Sequence, residues 1–406
     1  MAEQKRVLIV TQYYYPENFR INDLGPALVK KGYHVDALVG IPNYPEGKYF
    51  KGYGIFKKRV EERDGVKIYR VFQLPRGKKA SNVRLSLNYI SYAINAVLWV
   101  LFYFAWKKKY DAIIAYEPSP ITLIIPAIVL GKIRKTKVLS WMQDIFPDSI
   151  TDNTSERANK VLIPILGSLT EWIYGNSDKI LISSKGMAEL VNRKKDYSEK
   201  IEYTPNWCSD FKIITDTDIP ELPTGFKVMM AGNLGEGIGP EEVCQCAEEL
   251  KDLKDIHFVF VGGGSRKDYM EQWFKEHDVP NAVCLGRFPV EKMPAFFAQA
   301  DAMLLALKKT EFKHLDVTVP ARVQSYLSAG KPVFAMIGSG ATEVIETANC
   351  GVSVQPGDYK ELAKKIREVY KDKELLEKWG KNARDYYEQV FTVEKGVEHF
   401  EKLISA

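Results

Sequence analysis

Short apolar, β-branched runs alternate with helical segments along this chain, and the alternation stops once and then restarts. Residues 5–12, 34–39, 66–72, 111–116 and 137–142 read as strands, with helices over 22–31 and 121–132. After an Asp-, Thr- and Pro-rich stretch at 205–224 the pattern resumes with strands at 226–231, 256–261, 282–286, 302–307 and 332–336. Helices over 241–250 and 267–276 lie between them. Strands this apolar have no face for water, so they belong to parallel sheets covered on both sides by the intervening helices. An α/β architecture of two tandem Rossmann-like domains follows, which suits 406 residues at roughly 150 per domain. The expected division is 1–205, 206–390, and a terminal helix at 391–406 that can pack back on the first domain.

Composition narrows the class further. Apolar residues at 46% and charged residues at 27% exclude disorder and collagen-like repeats. Five scattered cysteines form neither a disulfide framework nor a zinc cluster, which points to a reducing compartment. The chain enters its first apolar run at residues 7–10, leaving no room for a secretory signal ahead of it. The charge is uneven: residues 51–137 hold 18 Lys/Arg against 5 Asp/Glu. Such a field attracts an anionic partner, with nucleic acid, an acidic polymer and a negatively charged leaflet as the candidates.

Residues 85–106 carry no charge, and their 22 positions are enough to span a bilayer, which takes about 20. The strands on either side should share one sheet, however, and a single crossing would separate them. Basic flanks (Arg76, Lys78, Lys79 and Arg84 before; Lys107, Lys108 and Lys109 after) and the aromatic content suit a helix lying at headgroup level, with a buried core helix as the alternative. Trp99, Phe102, Tyr103 and Trp106 are the expected membrane contacts, with an anionic membrane surface as partner and no nucleic acid.

The strand at 226–231 runs into Gly232-Asn-Leu-Gly-Glu-Gly-Ile-Gly-Pro240 and then a helix. Gly232, Gly235 and Gly237 allow close backbone approach, and the helix start aims N–H groups at an anion. A second glycine loop, 262–264, follows the next strand and runs to Arg266, and Lys308, Lys309 and Arg322 add positive charge after later strands. A diphosphate fits this set. The dinucleotide fingerprint of a dehydrogenase is missing: the first strand leads into Thr11-Gln-Tyr-Tyr-Tyr-Pro16, and Pro240 stands where the last glycine belongs. The carboxylates of Asp216-Thr-Asp218 lie in the linker, away from any strand end, and the five histidines share no ligand spacing, so no metal and no cofactor are expected.

Seven segments in order carry a family resemblance: Gln12-Tyr-Tyr-Tyr-Pro-Glu17, Gly40-Ile-Pro-Asn-Tyr-Pro-Glu-Gly47, Ser140-Trp-Met-Gln-Asp-Ile-Phe-Pro-Asp148, Pro205-Asn-Trp207, Ala231-Gly-Asn-Leu-Gly235, Pro320-Ala-Arg-Val-Gln-Ser-Tyr326 and Ala329-Gly-Lys-Pro-Val333. The chain resembles the GT-B glycosyltransferases of family 4, nearest the bacterial subgroup that builds surface polysaccharides, L-fucosamine transferase-like proteins included. The resemblance implies two Rossmann-like domains facing across a cleft, acceptor on the N-terminal side and nucleotide sugar on the C-terminal side. It also implies metal-free, configuration-retaining transfer. Three departures stand out. The family's glutamate pair falls at Val317 and Ser325, its diphosphate-holding Arg and Lys at Asn233 and Ile238, and an acceptor-side histidine at Gln143.

The expected activity is transfer of a hexosyl or N-acetylhexosaminyl group from a nucleotide-diphosphate sugar, UDP favoured, to a polyprenyl-diphosphate-linked saccharide at the cytoplasmic membrane face. Gly232, Asn233, Gly235, Gly237, Arg266, Lys308, Arg322 and Ser325 are the donor-side candidates. Gln143 and Asp144 are the catalytic candidates, with Glu17, Asn18, Arg20 and Asn43 on the acceptor side. Asp144 can equally serve as a helix N-cap. A non-hydrolysing sugar-nucleotide epimerase and an inactive GT-B-like partner subunit remain as alternatives.

Overall fold

The computed structural model describes residues 4–77, 81–151, 156–214 and 216–406. Lys78 and Lys79 of the basic flank lie outside them. Contacts divide the chain into two units, Met1–Pro205 with Gly396–Ala406, and Asn206–Lys395.

The first unit is built on eight strands: β1 (Arg6–Val10), β2 (His34–Gly40), β3 (Val60–Arg63), β4 (Val66–Val71), β5 (Ala112–Glu117), β6 (Lys137–Met142), β7 (Lys179–Ile182) and β8 (Ile201–Tyr203). Their order is β3-β4-β2-β1-β5-β6-β7-β8, parallel throughout except for the antiparallel edge pair β3–β4. The apolar residues of β1 and β5 are fully buried, as central parallel strands require. Chain order reverses between β1 and β5, whose pairing runs from Val7↔Ala112 to Val10↔Ala115. The terminal helix Val393–Ser405 returns to this unit, with the Phe400 ring 5.1 Å from that of Trp141 and His399 3.0 Å from the Thr204 hydroxyl.

The second unit holds six parallel strands, β9 (Phe226–Ala231), β10 (Ile256–Val261), β11 (Ala282–Gly286), β12 (Ala302–Ala306), β13 (Val333–Met336) and β14 (Gly351–Val354). Their order is β11-β10-β9-β12-β13-β14, with the reversal between β9 and β12. Each unit therefore has the doubly wound form in which ligands bind beyond the carboxyl ends of the strands beside the reversal.

The apolar segment forms a helix, Asn82–Phe102, followed by a tight turn over Phe104–Trp106. Ser81 caps its start by accepting from the Arg84 N–H at 3.3 Å. The strands before and after it, β4 and β5, belong to the same sheet. One face packs inward through Asn88, Tyr92, Ala93, Ala96 and Val100. Asn88 is buried between the Gln12 amide, which donates to it at 2.7 Å, and the Leu74 carbonyl, to which it donates. Beyond the helix, Lys107 reaches the fully buried Asp36 of β2 at 3.1 Å and the Tyr69 hydroxyl of β4 at 2.7 Å. The outer face carries Val83, Leu87, Ile90, Ile94, Leu98 and Leu101, all exposed.

Candidate active site

Each unit gathers its candidates in the loops at the carboxyl ends of its own strands. In the second unit, the β9 loop and the β10 loop lie directly against one another. The Leu234 N–H donates to the Gly263 carbonyl at 3.0 Å, and the Arg266 N–H to the Leu234 carbonyl at 3.0 Å. A Cβ at Gly262 would stand 1.8 Å from the Gly232 carbonyl oxygen, so that glycine is needed for loop-on-loop packing. Gly232, at φ +122°, serves a different neighbour: its open side faces the Arg322 guanidinium, which an added Cβ would approach to 2.9 Å. Arg322 donates to the Asn233 carbonyl across this loop, and no ion-pair partner holds it among the described residues. Tyr326, one turn along the helix Ala321–Ser328, bonds both polar groups of Ala231 and fixes the end of β9. Ser325 back-bonds to the Ala321 carbonyl at 3.1 Å, within its own helix. Val317 is buried, and the Ser325 side chain is partly exposed.

The other two donor-side cations are already engaged. Arg266 pairs with Glu241 and lies 3.3 Å from Glu236, and Lys308 bonds the same Glu236 at 2.5 Å. Glu236, between Gly235 and Gly237, was not singled out by the sequence. Lys308, then Arg266, hold its carboxyl below the usual range. Glu241 and Glu242 occupy the first turn of the helix Pro240–Glu248, the end where an incoming anion would dock. An anion bound here must displace Glu236 to reach Lys308, and both Glu236 and Glu241 to reach Arg266, whereas Arg322 is open to it. The linker carboxylates Asp216 and Asp218 both face Lys292, at 3.9 and 3.0 Å.

In the first unit the loops after β1, β2, β4, β5 and β6 come together with the start of the helix Asn82–Phe102. Glu17 is buried, and its Oε1 accepts from the N–H groups of Asn43 at 2.8 Å and Tyr44 at 2.7 Å. Asn43 is fully buried, accepts from the Arg76 N–H at 3.1 Å and donates to the Ile41 carbonyl. Both acceptor-side candidates thus hold the loops in shape through bonds to the protein's own backbone. Asn18 is exposed, and Arg20 lies at the start of the helix Ile21–Lys30, close enough to act on the Tyr116 hydroxyl. Burial pushes the Glu17 carboxyl up to about 7, against the N–H groups of Tyr44 and Asn43 that favour its charge.

Gln143 and Asp144 follow β6 directly, and the Gln143 N–H donates to the Glu117 carbonyl at 2.9 Å. Asp144 acts on Glu117 and on Tyr89, so the structure brings it together with two residues that the sequence did not mark. Glu117 ends β5 at the reversal of the sheet and is wholly buried, with neither carboxyl oxygen in a well-aligned hydrogen bond among the described residues. Burial first, then Asp144, drive it well above the usual carboxylate range; the nearby N–H groups of Ser119, Asp144 and Gln143 offset this only in part. One signal for Glu117 was available: it is the single charge between the apolar run of β5 and two prolines.

Two parallel α/β units with loops of this kind define a GT-B glycosyltransferase fold. Residues 215–386 match the family of glycosyl transferases group 1. Among curated relatives, the putative colanic acid biosynthesis glycosyl transferase WcaI of Escherichia coli (strain K12) is 22% identical over 97% of this chain and 98% of its own. Among solved structures, a sucrose-phosphate synthase from Thermosynechococcus elongatus aligns with a TM-score of 0.71 at 15% identity, covering 99% of this chain and 98% of its own. Anabaena HepE in complex with UDP aligns at 0.67 and 15% identity over 99% of this chain and 100% of its own.

Two outcomes follow from the charge arrangement. Arg322→Ala should weaken nucleotide-diphosphate binding far more than nucleoside binding, while Glu236→Gln should strengthen it by freeing Lys308; Arg266 stays paired with Glu241. Calorimetry with both ligands checks this pair, and equal loss of the two ligands in Arg322→Ala would make Arg322 structural. The second concerns Glu17, whose folded-state pKa lies above its unfolded value. The native state then binds the extra proton, and stability falls as pH rises from the normal carboxyl range towards about 7. Glu17→Gln should flatten that slope in denaturant titrations across the same window; an unchanged slope would place the effect elsewhere.

Proposed function

We propose that this chain is a retaining, metal-independent glycosyltransferase that moves a sugar from a nucleotide-diphosphate donor to a polyprenyl-diphosphate-linked saccharide. The reading places it in bacterial surface polysaccharide assembly, as a peripheral protein on the cytoplasmic face of the cell membrane. The colanic acid assignment of WcaI and the L-fucosamine transferase-like motifs support the pathway class, and the UDP held by HepE supports a UDP-sugar donor. Retention and metal independence rest on the motif resemblance. The departing nucleotide diphosphate gains negative charge as the glycosidic bond breaks, and fixed donors aimed at it lower the barrier. Arg322, beside Gly232, and the N–H groups of Gly235 and Gly237 are the donors this reading uses. Asp144, with the buried Glu117 carboxyl near it, is the group for orienting the acceptor hydroxyl.

The observation that carries the lipid half of the reading is the uncovered stripe on the helix Asn82–Phe102. The segment Asn82–Trp106 is long and apolar enough to cross a membrane by length and composition. Its outer face continues into Phe102 and Trp106, which are 78% and 83% exposed, while Phe56, in the loop before β3, is 95% exposed. Soluble monomers rarely leave so long an apolar stripe in water. Trp99 and Tyr103 differ from Phe102 and Trp106, because they pack on Tyr69 at 6.2 and 5.5 Å between ring centroids and on each other at 5.6 Å. With Val60, Leu98 and Phe102 these residues line a groove of about 500 Å³.

Polybasic attraction contributes about 1 kcal/mol per Lys or Arg near an anionic leaflet and is screened by salt, whereas burial of the apolar stripe is not. Binding to anionic vesicles should therefore weaken with salt without vanishing, and carbonate should still release the protein. Phe102→Ser with Trp106→Ser should remove most of the salt-resistant part, because these two side chains touch little of the protein. Transfer of sugar to a long-chain lipid acceptor should fall more than transfer to a short soluble analogue. A wild type that ignores vesicles, or a double variant equally impaired with both acceptors, would end the lipid reading. Sugar isomerisation without transfer would favour an epimerase.

A further inference from the structure

Arg76 stands apart from the other cations of the first unit. It lies five residues beyond β4, at the carboxyl edge of the sheet, between the loops after β1 and β2 and the first turns of the helix Asn82–Phe102. Its guanidinium is surrounded by the rings of Tyr13, Tyr44 and Tyr89, with centroids at 5.2, 4.9 and 5.4 Å. Phe19 backs this cage, stacked on Tyr13 at 5.0 Å and tilted against Tyr44 at 5.7 Å. One terminal nitrogen, Nη2, bonds the hydroxyls of Tyr13 and Tyr89, the latter at 3.0 Å. The backbone N–H of Arg76 is tied to Asn43, which fixes the base of the side chain.

The remaining donors of that fork are idle. Nε is buried with no hydrogen-bond partner among the described residues, and Nη1 and the guanidinium as a whole have no ion-pair partner there. A buried N–H left without an acceptor costs free energy comparable to a lost hydrogen bond, and a desolvated guanidinium costs more. Tyrosine faces offset part of the cationic cost by their quadrupoles but offer no acceptor to Nε. The group that completes such a fork is a planar or tetrahedral oxyanion able to accept two parallel N–H bonds. Glu17, the buried carboxyl on which the guanidinium acts, gives its Oε1 to the Asn43 and Tyr44 N–H groups and forms no ion pair with Arg76 among the described residues.

We propose that the Arg76 cage is an oxyanion site for the phosphate ester of a lipid-linked acceptor, holding its diphosphate at the foot of the apolar stripe. The inference rests on the lipid-acceptor reading above and adds the residue that recognises the phosphate. Its geometry is continuous with that reading: Tyr89 of the cage is on the helix whose outer face begins at Val83, and Asp144 is close enough to act on Tyr89. A lipid lying along the stripe would present its diphosphate to Arg76 and its first sugar towards Asp144. Phospholipid headgroups carry the same chemistry, and the test separates the two sources.

The experiment measures binding of a short prenyl diphosphate, the matching prenyl alcohol, UDP, and phosphatidylglycerol vesicles to the full chain and to Arg76→Gln. Loss of a charge-assisted, two-bond contact should weaken the prenyl diphosphate by at least about tenfold. Affinity for the alcohol, for UDP and for vesicles should be unchanged. Equal binding of the prenyl diphosphate by wild type and variant would overturn the assignment, and so would equal loss of diphosphate and alcohol. A loss confined to vesicles would assign the cage to phospholipid and overturn the acceptor role. Should Arg76→Gln fail to fold, Arg76→Lys keeps the cation in the cage without the fork; a loss confined to the diphosphate supports the site and no loss overturns it. A wild type that transfers sugar only to soluble acceptors and ignores prenyl diphosphate would sink the lipid reading itself. A wild type that binds and uses the prenyl acceptor, with Arg76→Gln doing so equally well, sinks only the role of Arg76.

Discussion

A parallel strand can be joined to its neighbour only by a crossover that returns to the opposite edge of the sheet. Every loop leaving a strand's carboxyl end therefore lies on one edge, and at the reversal of strand order the two adjoining crossovers depart to opposite faces and leave a gap. All the candidate residues here follow from that constraint. In the first unit it brings Gln12, Tyr13 and Glu17 after β1 beside Glu117 at the end of β5, and it adds Asn43, Arg76 and Asp144 from flanking strands. In the second it sets the Gly232 loop after β9 beside Lys308 after β12, where the Lys308 N–H donates to the Gly237 carbonyl at 3.0 Å. Residues far apart in sequence share a site because the sheet has one working edge.

The two units hold their cations in opposite ways. Arg266 and Lys308 are kept by carboxylates that are themselves half exposed, and ion pairs of that kind are worth about 0–1 kcal/mol, so a stronger anion can replace them. Arg76 is kept by aromatic faces and two hydroxyls, which restrain its position without neutralising it. The first arrangement suits a ligand that arrives and departs with each turnover, since the protein's own carboxylate takes back the cations when the ligand leaves. The second suits an anchor point whose geometry is set before any ligand comes.

Much of the fold was legible because central parallel strands must be apolar on both faces. The runs 137–142, 226–231, 256–261 and 282–286 coincide with β6, β9, β10 and β11 to the residue. What escaped were strands without that signature. β3 is exposed and reads Val-Glu-Glu-Arg, β7 and β8 have only four and three residues, and β14 carries a glycine and a serine. The site was legible as loops but not as partners. Glycine spacing marked the Gly232 and Gly262 loops, yet it could not say that Gly262 serves loop packing while Gly232 makes room for Arg322. Basic residues were visible as charge, but pairing decides their availability, and Glu236 is joined to Lys308 across 72 positions. Arg76 read as one member of a basic flank because its cage is assembled from residues 13, 44 and 89.

The helix Asn82–Phe102 was ambiguous in sequence because both of its faces are apolar, and the structure resolves which face turns inward. Asn88 decides it: an amide facing solvent would need no protein partner, whereas here it is buried between Gln12 and the Leu74 carbonyl. At the far end, Lys107 on Asp36 and Tyr69 prevents the following turn from rotating. Burying the outer stripe by rolling the helix half a turn would break both attachments: the Asn88 and Gln12 amides would lose their partners, and Lys107 would lose Asp36, which keeps the Tyr110 hydroxyl and Arg6. Each such loss costs roughly 1–3 kcal/mol, more for the charged group. The uncovered stripe is thus a fixed feature of the native fold, held open by polar contacts on its hidden side.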